Sequence, residues 1–242
     1  MHYLIKGNSW IESQGADIDL PMTVSYRRLS IADIDDILFL ETIAWPHGLR
    51  ASAATIRQRL AIQHIMLGAF QHDALIGIAA WRYDMFDPGL HHPYPKDFDA
   101  FANRPSYPGS NAAYVYNFAL APAIRKTKKG ADIGLSLIAS GIDILIADGC
   151  KYLVGASRCP SYAGDDDGVA QNRSITPLRA AIDNLTSGAT TSNDLDIPWQ
   201  EDPVLSFYKH ALNCRFTAVL PAFMAEDRAS GGYAIGFYKA LQ

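Results

Sequence analysis

The sequence predicts a mixed α/β fold, in which helices lie beside one sheet. The predicted elements run in the order strand, two helices, three strands, helix, strand, helix and final strands. Strands and helices therefore do not alternate strictly, which excludes a simple alternating Rossmann unit. The chain has 242 residues, 49% of them apolar and 19% charged, enough for one large globular domain.

The N-terminal part divides into an extension and the start of the domain. Residues 1–22 follow no period, and they are expected to pack on the domain or to pair with a partner. A homodimer is one possible form of that pairing. Residues 23–242 are expected to form one domain. Its first strand, "TVSYRRLS", leads into a helix whose start has the capping-box pair Ser30 and Asp33. A second helix is expected to begin at Ser52.

The middle of the chain carries three predicted strands and a long insert. "HIMLGAFQ" and "ALIGIAAWRYD" are joined by His72-Asp73, a plausible hairpin turn. An insert rich in proline, glycine and aromatic residues is expected near 86–111. The strand "AAYVYNFALAP" follows it and leads into a long apolar helix that Gly149 is expected to stop.

The C-terminal part is expected to contain a strand, an insert, a helix and two strands. "YLVGAS" is the strand, and the insert covers about 160–200, with a short helix in "TPLRAAIDNL". "DPVLSFYKHAL" is typical of a helix capped by Asp202, with Pro203 in its first position. "RFTAVLP" and "GYAIGFY" are the last strands.

Composition excludes several classes of protein. The formal net charge of −4 argues against a protein that coats nucleic acid. Three cysteines without a close pair predict neither a disulfide framework nor a zinc site, and the histidines follow no metal-ligand spacing, so no metal is expected. No signal peptide and no membrane span is expected, and the cytoplasm is the expected location.

Basic residues gather in "APAIRKTKKGADIGLSLIASG", just before the long helix. A helix N-terminus with nearby glycine and lysine residues can bind an anion, so a glycine-containing turn that holds a phosphate group is one interpretation. A solvated surface turn is the other. The glycine spacing matches neither a Walker A loop nor a dinucleotide-binding fingerprint, which disfavours a nucleotide triphosphatase.

The order of elements and this turn resemble the GNAT superfamily of acyl-CoA-dependent N-acyltransferases. The resemblance implies a central mixed, mostly antiparallel sheet of six to seven strands flanked by helices, with acetyl-CoA or another acyl-CoA as co-substrate. In "KGADIG", Lys129 stands at the basic position of the superfamily's pyrophosphate loop, and Gly134 stands at its last glycine position. Asp132 stands at the first glycine position, where the sequence departs from the pattern. The implied pyrophosphate site comprises Lys126, Lys128, Lys129, Gly130, Ala131, Asp132, Ile133 and Gly134.

The same resemblance assigns roles to two other segments. The backbone of Phe118, Ala119 and Leu120, in the strand before the turn, would hold the thioester carbonyl. "FYKHALNCRF" is similar to the late helix of the superfamily, and the Tyr208 hydroxyl would protonate the departing CoA thiolate. A phenol suits that role because it is neutral at pH 7.

A narrower resemblance covers most of residues 35–238. "WPHGLRASAATIRQRL", "SRCPSY", "DPVLSFYKHA" and "VLPAFMAEDRASGGYAIGF" look like GNAT-like loading domains of polyketide synthases, and like GNAT domains fused to carbon-nitrogen hydrolases. The catalytic tryptophan, threonine, histidine and arginine of the malonyl-decarboxylating loading domains fall on Trp45, Ser157, Tyr208 and Met224. Because the last two substitutions remove cationic groups, decarboxylation is expected to be lost.

These observations favour acyl transfer from CoA to the amine of a small molecule by direct attack, with Tyr208, Ser157 and Trp45 as the catalytic candidates. An S-acyltransferase that loads an acyl carrier protein and a non-catalytic acyl-CoA-binding module are the alternatives. Glu41, Asp84 and His210 are open candidates for the base that deprotonates the acceptor. Cys159 could accept an acyl group only if its pKa were lowered.

Overall fold

The computed structural model describes residues 2–6, 9–13, 23–89, 94–107, 109–163, 177–187 and 194–241, with side chains from residue 23 onward. The helices are Ile34–Ala44 (α1), Ala53–Ala61 (α2), Phe98–Ala102 (α3), Pro122–Arg125 (α4), Lys128–Ala147 (α5), Pro177–Ser187 (α6) and Pro203–Ser206 (α7). The strands are His2–Lys6 (β1), Ser9–Ser13 (β2), Val24–Arg28 (β3), Ile65–Gln71 (β4), Ala74–Asp84 (β5), Ala112–Leu120 (β6), Tyr152–Arg158 (β7), Arg215–Leu220 (β8) and Ala234–Ala240 (β9).

Seven of these strands form one mixed sheet in the order β3-β4-β5-β6-β7-β9-β8. The β6–β7 pair is parallel, and the β3–β4, β4–β5, β7–β9 and β8–β9 pairs are antiparallel. The predicted fold class, a mixed and mostly antiparallel sheet flanked by helices, is confirmed. The chain divides into two compact units, Met1–Trp81 with Asn117–Asp148 and Arg82–Tyr116 with Gly149–Gln242.

The first unit contains β3, β4, the start of β5, the end of β6 and helices α1, α2, α4 and α5. The capping box is present, because Ser30 accepts from the first helical turn and the Asp33 carboxylate accepts from the Ser30 N–H at 2.7 Å. The β4–β5 hairpin turns at His72 and Asp73, both with positive φ, as a two-residue hairpin requires. Apolar residues of α5, including Leu137 and Leu145, complete the core of this unit.

The second unit is built around β9, which lies between β7 and β8. The Tyr94 hydroxyl, buried against β9, donates to the Phe237 carbonyl at 3.0 Å. Arg82 is 1% exposed and is neutralised by Asp84 at 2.5 Å, while its Nε donates to the Phe101 carbonyl at 2.7 Å. A buried cation with these partners fixes the end of β5 in place.

Several elements differ from the expectations. The N-terminal extension contains the β1–β2 hairpin, and the insert near 86–111 contains α3. The helix predicted in "DPVLSFYKHAL" is α7 followed by a π-helical turn, Phe207–Ala211. Two five-residue strands and a five-residue helix are too short to give a recognisable period, which is why the sequence did not predict them.

One helix, Lys129–Ala147, is long and apolar enough to cross a membrane by length and composition, where the sequence reasoning expected no such segment. This is weak evidence for a membrane, because the core helix of a soluble protein passes the same test. The helix packs closely on its unit: a Cβ atom at Gly141 would lie 3.2 Å from the Trp81 ring. Core packing therefore explains the buried apolar residues of this helix, which make up 39% of the apolar window together with its other buried positions.

Candidate functional site

The turn between α4 and α5 has the features of an anion site. Thr127 caps α5, because its Oγ1 accepts from the Gly130 N–H at 3.1 Å and donates to the Ile124 carbonyl at 2.8 Å. The Lys126 and Lys129 side chains are exposed, and that of Lys128 lies outside the described side chains. The positive end of the helix dipole and two exposed amines give this end of the helix a positive potential.

Gly130 and Gly134 lie inside α5, so the expectation of a glycine-containing turn is wrong; the turn itself is formed by Lys126 and Thr127. A Cβ atom at Gly130 would lie 2.3 Å from the Ile124 carbonyl oxygen, so glycine allows α4 to approach α5 closely. A Cβ atom at Gly134 would lie 3.3 Å from the Phe118 ring. Both glycines are explained by packing.

The helix residues between and beside these glycines take two different environments. Ala131 and Asp132 are exposed, and Ile133 is buried. Asp132 lies beyond the first turn of α5. Its carboxylate therefore faces solvent instead of occupying the capped end of the helix.

The end of β6 carries Phe118, Ala119 and Leu120. Phe118 and Leu120 face α5, where they contact the surface at Gly134. Since successive side chains of a strand point to opposite faces, Asn117 and Ala119 face the other way. The β6 backbone proposed to hold the thioester thus has α5 on one face of the strand and the Asn117 side chain on the other.

The carboxylate of Glu41, on α1, is buried on that second face. Glu41 is 4% exposed; its Oε2 accepts from the Ala51 N–H at 2.9 Å and its Oε1 accepts from Asn117 Nδ2 at 2.5 Å. Burial raises the pKa of Glu41, and the two hydrogen bonds and the charges of Arg59 and Arg50 act in the opposite direction. The Asn117 Oδ1 atom is buried and has no hydrogen-bond partner among the residues that the structure describes.

Trp45, the predicted catalytic tryptophan, follows α1 in the first unit. Its backbone N–H donates to the backbone carbonyl of Glu41 at 3.1 Å, and its backbone carbonyl accepts from Arg50 Nε at 2.9 Å. The ring is half-buried. These bonds connect Trp45 to the segment that holds the Glu41 carboxylate.

Tyr208 lies in the π-helical turn of the second unit. It is 8% exposed, and its ring packs on that of Phe237 with centroids 4.2 Å apart. Burial raises the pKa of the phenol, and Cys214 adds to the effect. The phenol therefore carries a proton at neutral pH, and the raised pKa makes it a weaker acid than an exposed tyrosine. π-Helical turns occur frequently at functional sites.

Ser157 lies on β7 near the same stretch of β9. It is 3% exposed, its hydroxyl donates to the Arg158 carbonyl at 2.9 Å, and it pairs with Ile235. Gly155, two residues earlier, pairs with Phe237, whose ring contacts Tyr208. Ser157 and Tyr208 thus belong to one region of the second unit, whereas Trp45 belongs to the first.

Arg158, Asp227, Ser230 and Cys159 form a buried network. Arg158 binds Asp227 through two bonds, Nε to Oδ2 at 2.9 Å and Nη2 to Oδ1 at 2.7 Å. The Ser230 hydroxyl donates to Asp227 at 2.7 Å and accepts from the Cys159 N–H at 3.0 Å. Burial raises the pKa of the Cys159 thiol, which is 0% exposed, so the condition for acyl transfer to Cys159 is not met.

The three candidate bases differ in environment. Asp84 is committed to Arg82 and to the Met85 N–H at 2.8 Å, and His210 is exposed. Glu41 is 4% exposed, and burial raises its pKa. Its partner Asn117 was not singled out from the sequence, although an asparagine within the apolar run "YVYNFAL" was a usable signal.

No protein-family model matches the chain, and no curated protein matches it. Solved structures do match. The loading GNATL domain of CurA from Lyngbya majuscula has a TM-score of 0.65 at 16% identity, covering 91% of this chain and 98% of that chain. The GphF GNAT-like decarboxylase in complex with isobutyryl-CoA has a TM-score of 0.59 at 20% identity, covering 90% and 100%.

A third match is an aminoglycoside 6'-N-acetyltransferase complexed with coenzyme A, with a TM-score of 0.51 at 15% identity, covering 90% of this chain and 97% of that chain. These likenesses span nearly the whole chain. They show that the chain has the GNAT fold.

Proposed function

We propose that this chain is an acyl-CoA-dependent N-acyltransferase, acetyl-CoA being the first donor to test, that acts on the amine of a small molecule by direct attack. The observation that carries the proposal is the GNAT fold combined with a capped, positively charged α5 N-terminus that follows β6 and the short helix α4. Two of the matching structures were determined with CoA or isobutyryl-CoA bound. The cytoplasm is the proposed location.

Residues of the first unit suit the donor half of this reaction. Lys126, Lys129 and the α5 dipole would attract the pyrophosphate, and the exposed Asp132 side chain can turn toward solvent. The backbone of β6 from Phe118 to Leu120 would hold the thioester. The bound acyl-CoA would supply the activated acyl group, and the chain would orient it.

Tyr208 is proposed to protonate the departing thiolate, because its buried phenol carries a proton at neutral pH. Ser157 and Trp45 are proposed to line the reacting groups. Met224 and Tyr208 stand where the malonyl-decarboxylating loading domains have cations, so no acetyl-CoA is expected to form from malonyl-CoA.

Calorimetric titration with acetyl-CoA, followed by thiol release in the presence of spermidine, kanamycin A or tyramine, tests the proposal. Binding together with transfer to an amine supports it, and no binding at high micromolar concentration refutes it. Tyr208→Phe should lower turnover about 10²-fold or more. Tyr107→Phe, at a 50% exposed site in the same unit, is the matched control and should retain turnover.

Transfer of an acyl group from CoA to the thiol of an acyl carrier protein is the second candidate function. The higher TM-score of the CurA loading domain and the exposed Arg125, Lys126 and Lys129 favour it, because basic residues attract an acidic carrier protein. Intact-mass analysis of a carrier protein after incubation with acetyl-CoA separates the two functions. Binding without any transfer would instead indicate a non-catalytic acyl-CoA-binding module.

A further inference from the structure

Glu41 and Asn117 form a part-buried hydrogen bond to which the proposed chemistry gives no role. Both residues lie in the first unit, and their hydrogen bond joins α1 to β6 at 2.5 Å. We propose that Asn117 determines specificity by accepting, through Oδ1, a hydrogen bond from a substrate N–H group, and that Glu41 is a positioning residue that holds the amide in this orientation. The inference rests on the proposed function.

The orientation of the Asn117 amide follows from the chemistry of its partner. Above its folded-state pKa, Glu41 is an ionised carboxylate that only accepts hydrogen bonds, whereas an amide has a donor end and an acceptor end. The Glu41 oxygens accept from the Ala51 N–H and from Asn117 Nδ2. If the amide rotated by half a turn, Oδ1 would face a carboxylate oxygen, acceptor against acceptor. Glu41 therefore directs Oδ1 away from itself.

The Oδ1 atom is buried without a partner among the described residues. Buried polar atoms in proteins nearly always have a hydrogen-bond partner, so this atom calls for a donor. Asn117 directly precedes Phe118, the first residue of the backbone proposed to hold the thioester. A substrate placed there would come within reach of Oδ1.

Only a hydrogen-bond donor satisfies this atom. Two donors belong to the proposed reaction: the N–H of the acceptor amine and the amide N–H groups of the pantetheine arm of CoA. A carboxylate or carbonyl group of a substrate would be repelled at this position. The geometry thus selects for a hydrogen-bond donor, and the N–H groups of the two substrates are the donors that we propose.

Four variants test the pair. Asn117→Leu removes the acceptor. Glu41→Gln presents an amide N–H to Asn117, which should rotate and turn its own N–H groups toward the substrate. The double variant Glu41→Gln with Asn117→Asp restores an oxygen acceptor at residue 117 and a donor–acceptor pair between the two side chains. Asp36→Asn, on the exposed face of the same helix, is the control for loss of a carboxylate.

Each variant is measured by acetyl-CoA titration, by kcat and KM with the three amines at saturating acetyl-CoA, and by thermal melting. The two single variants at residues 41 and 117 should weaken either acetyl-CoA affinity or amine KM about tenfold or more, and the double variant should recover most of it. Weaker acetyl-CoA binding assigns the N–H to pantetheine, and a higher KM assigns it to the amine. Asp36→Asn should match the wild type.

Unchanged Kd and KM in folded Asn117→Leu and Glu41→Gln overturn the inference while the proposed function stands. Losses that follow the melting temperature, with no recovery in the double variant, also overturn it, because a purely structural pair would behave in this way. A wild-type chain that neither binds acetyl-CoA nor acetylates an amine refutes the proposed function itself and removes the basis of the inference.

Discussion

Two alanine substitutions in α5 test the packing account of its glycines. Gly130 and Gly134 lie in the same helix, so replacing either by alanine gives the same gain in helix propensity, about 1 kcal/mol. At Gly130 the new Cβ would lie 2.3 Å from the Ile124 carbonyl oxygen and 3.1 Å from the Arg125 Cα, both backbone atoms. The turn between α4 and α5 would have to move by about 1 Å.

At Gly134 the new Cβ would meet only side-chain ends, Phe118 at 3.3 Å and Leu120 at 3.4 Å, which can adjust. Because the propensity gain cancels between the variants, their difference isolates the backbone overlap. Overpacking of this kind costs about 1–3 kcal/mol, so Gly130→Ala should be less stable than Gly134→Ala by that amount. For a chain of this length, each kcal/mol corresponds to about 2–4 °C in melting temperature.

Urea denaturation and thermal melting of both variants measure the difference. The wild type and Gly134→Ala are expected to lie within about 1 kcal/mol of each other. If Gly130→Ala is as stable as Gly134→Ala, the close approach of α4 to α5 is not what requires glycine at residue 130. Gly130 would then have to be explained by ligand binding alone.

Three further predictions concern buried polar groups. The Asp202 carboxylate is 0% exposed and accepts hydrogen bonds from the backbone N–H groups of Val204, Leu205 and Ser161. Asp202→Ala should therefore lower the free energy of unfolding, measured by urea titration, by about 2 kcal/mol or more. A change below about 0.5 kcal/mol would contradict this expectation. The folded-state pKa of Glu41 is raised, so the folded chain binds a proton that the unfolded chain has lost above pH 4.5. The unfolding free energy of the wild type relative to Glu41→Gln should therefore fall as pH rises from 4.5 through the folded-state pKa, and a rise would refute the shift. Cys159 should resist iodoacetamide in the folded chain and react only after unfolding, as followed by intact mass; rapid modification under native conditions would contradict the raised pKa.

Much of the fold could be predicted from the sequence because local patterns carry it. The capping box at Ser30, the hairpin turn at His72-Asp73 and the Asp202 cap were all predicted and are confirmed. Each depends on residues within a few positions of one another, so the backbone conformation follows from local chemistry. The order of strands and helices likewise followed from periodicity.

The candidate site was less predictable, because its properties depend on contacts between distant segments. The basic residues before α5 were visible, but the place of Gly130 and Gly134 inside the helix depends on how α4 and β6 pack against it. Likewise, the raised pKa of Cys159 follows from burial, which its neighbours in sequence do not indicate.

The sequence by itself determined the fold class, the order of the elements and the position of a basic segment at the start of a long helix. The tertiary structure decided which polar groups are buried and what they contact. Glu41 and Asn117 are 76 positions apart, and only the packing of α1 against β6 brings them to hydrogen-bonding distance. Desolvation and hydrogen-bond direction depend on such long-range contacts, so these properties appear only once the chain is folded.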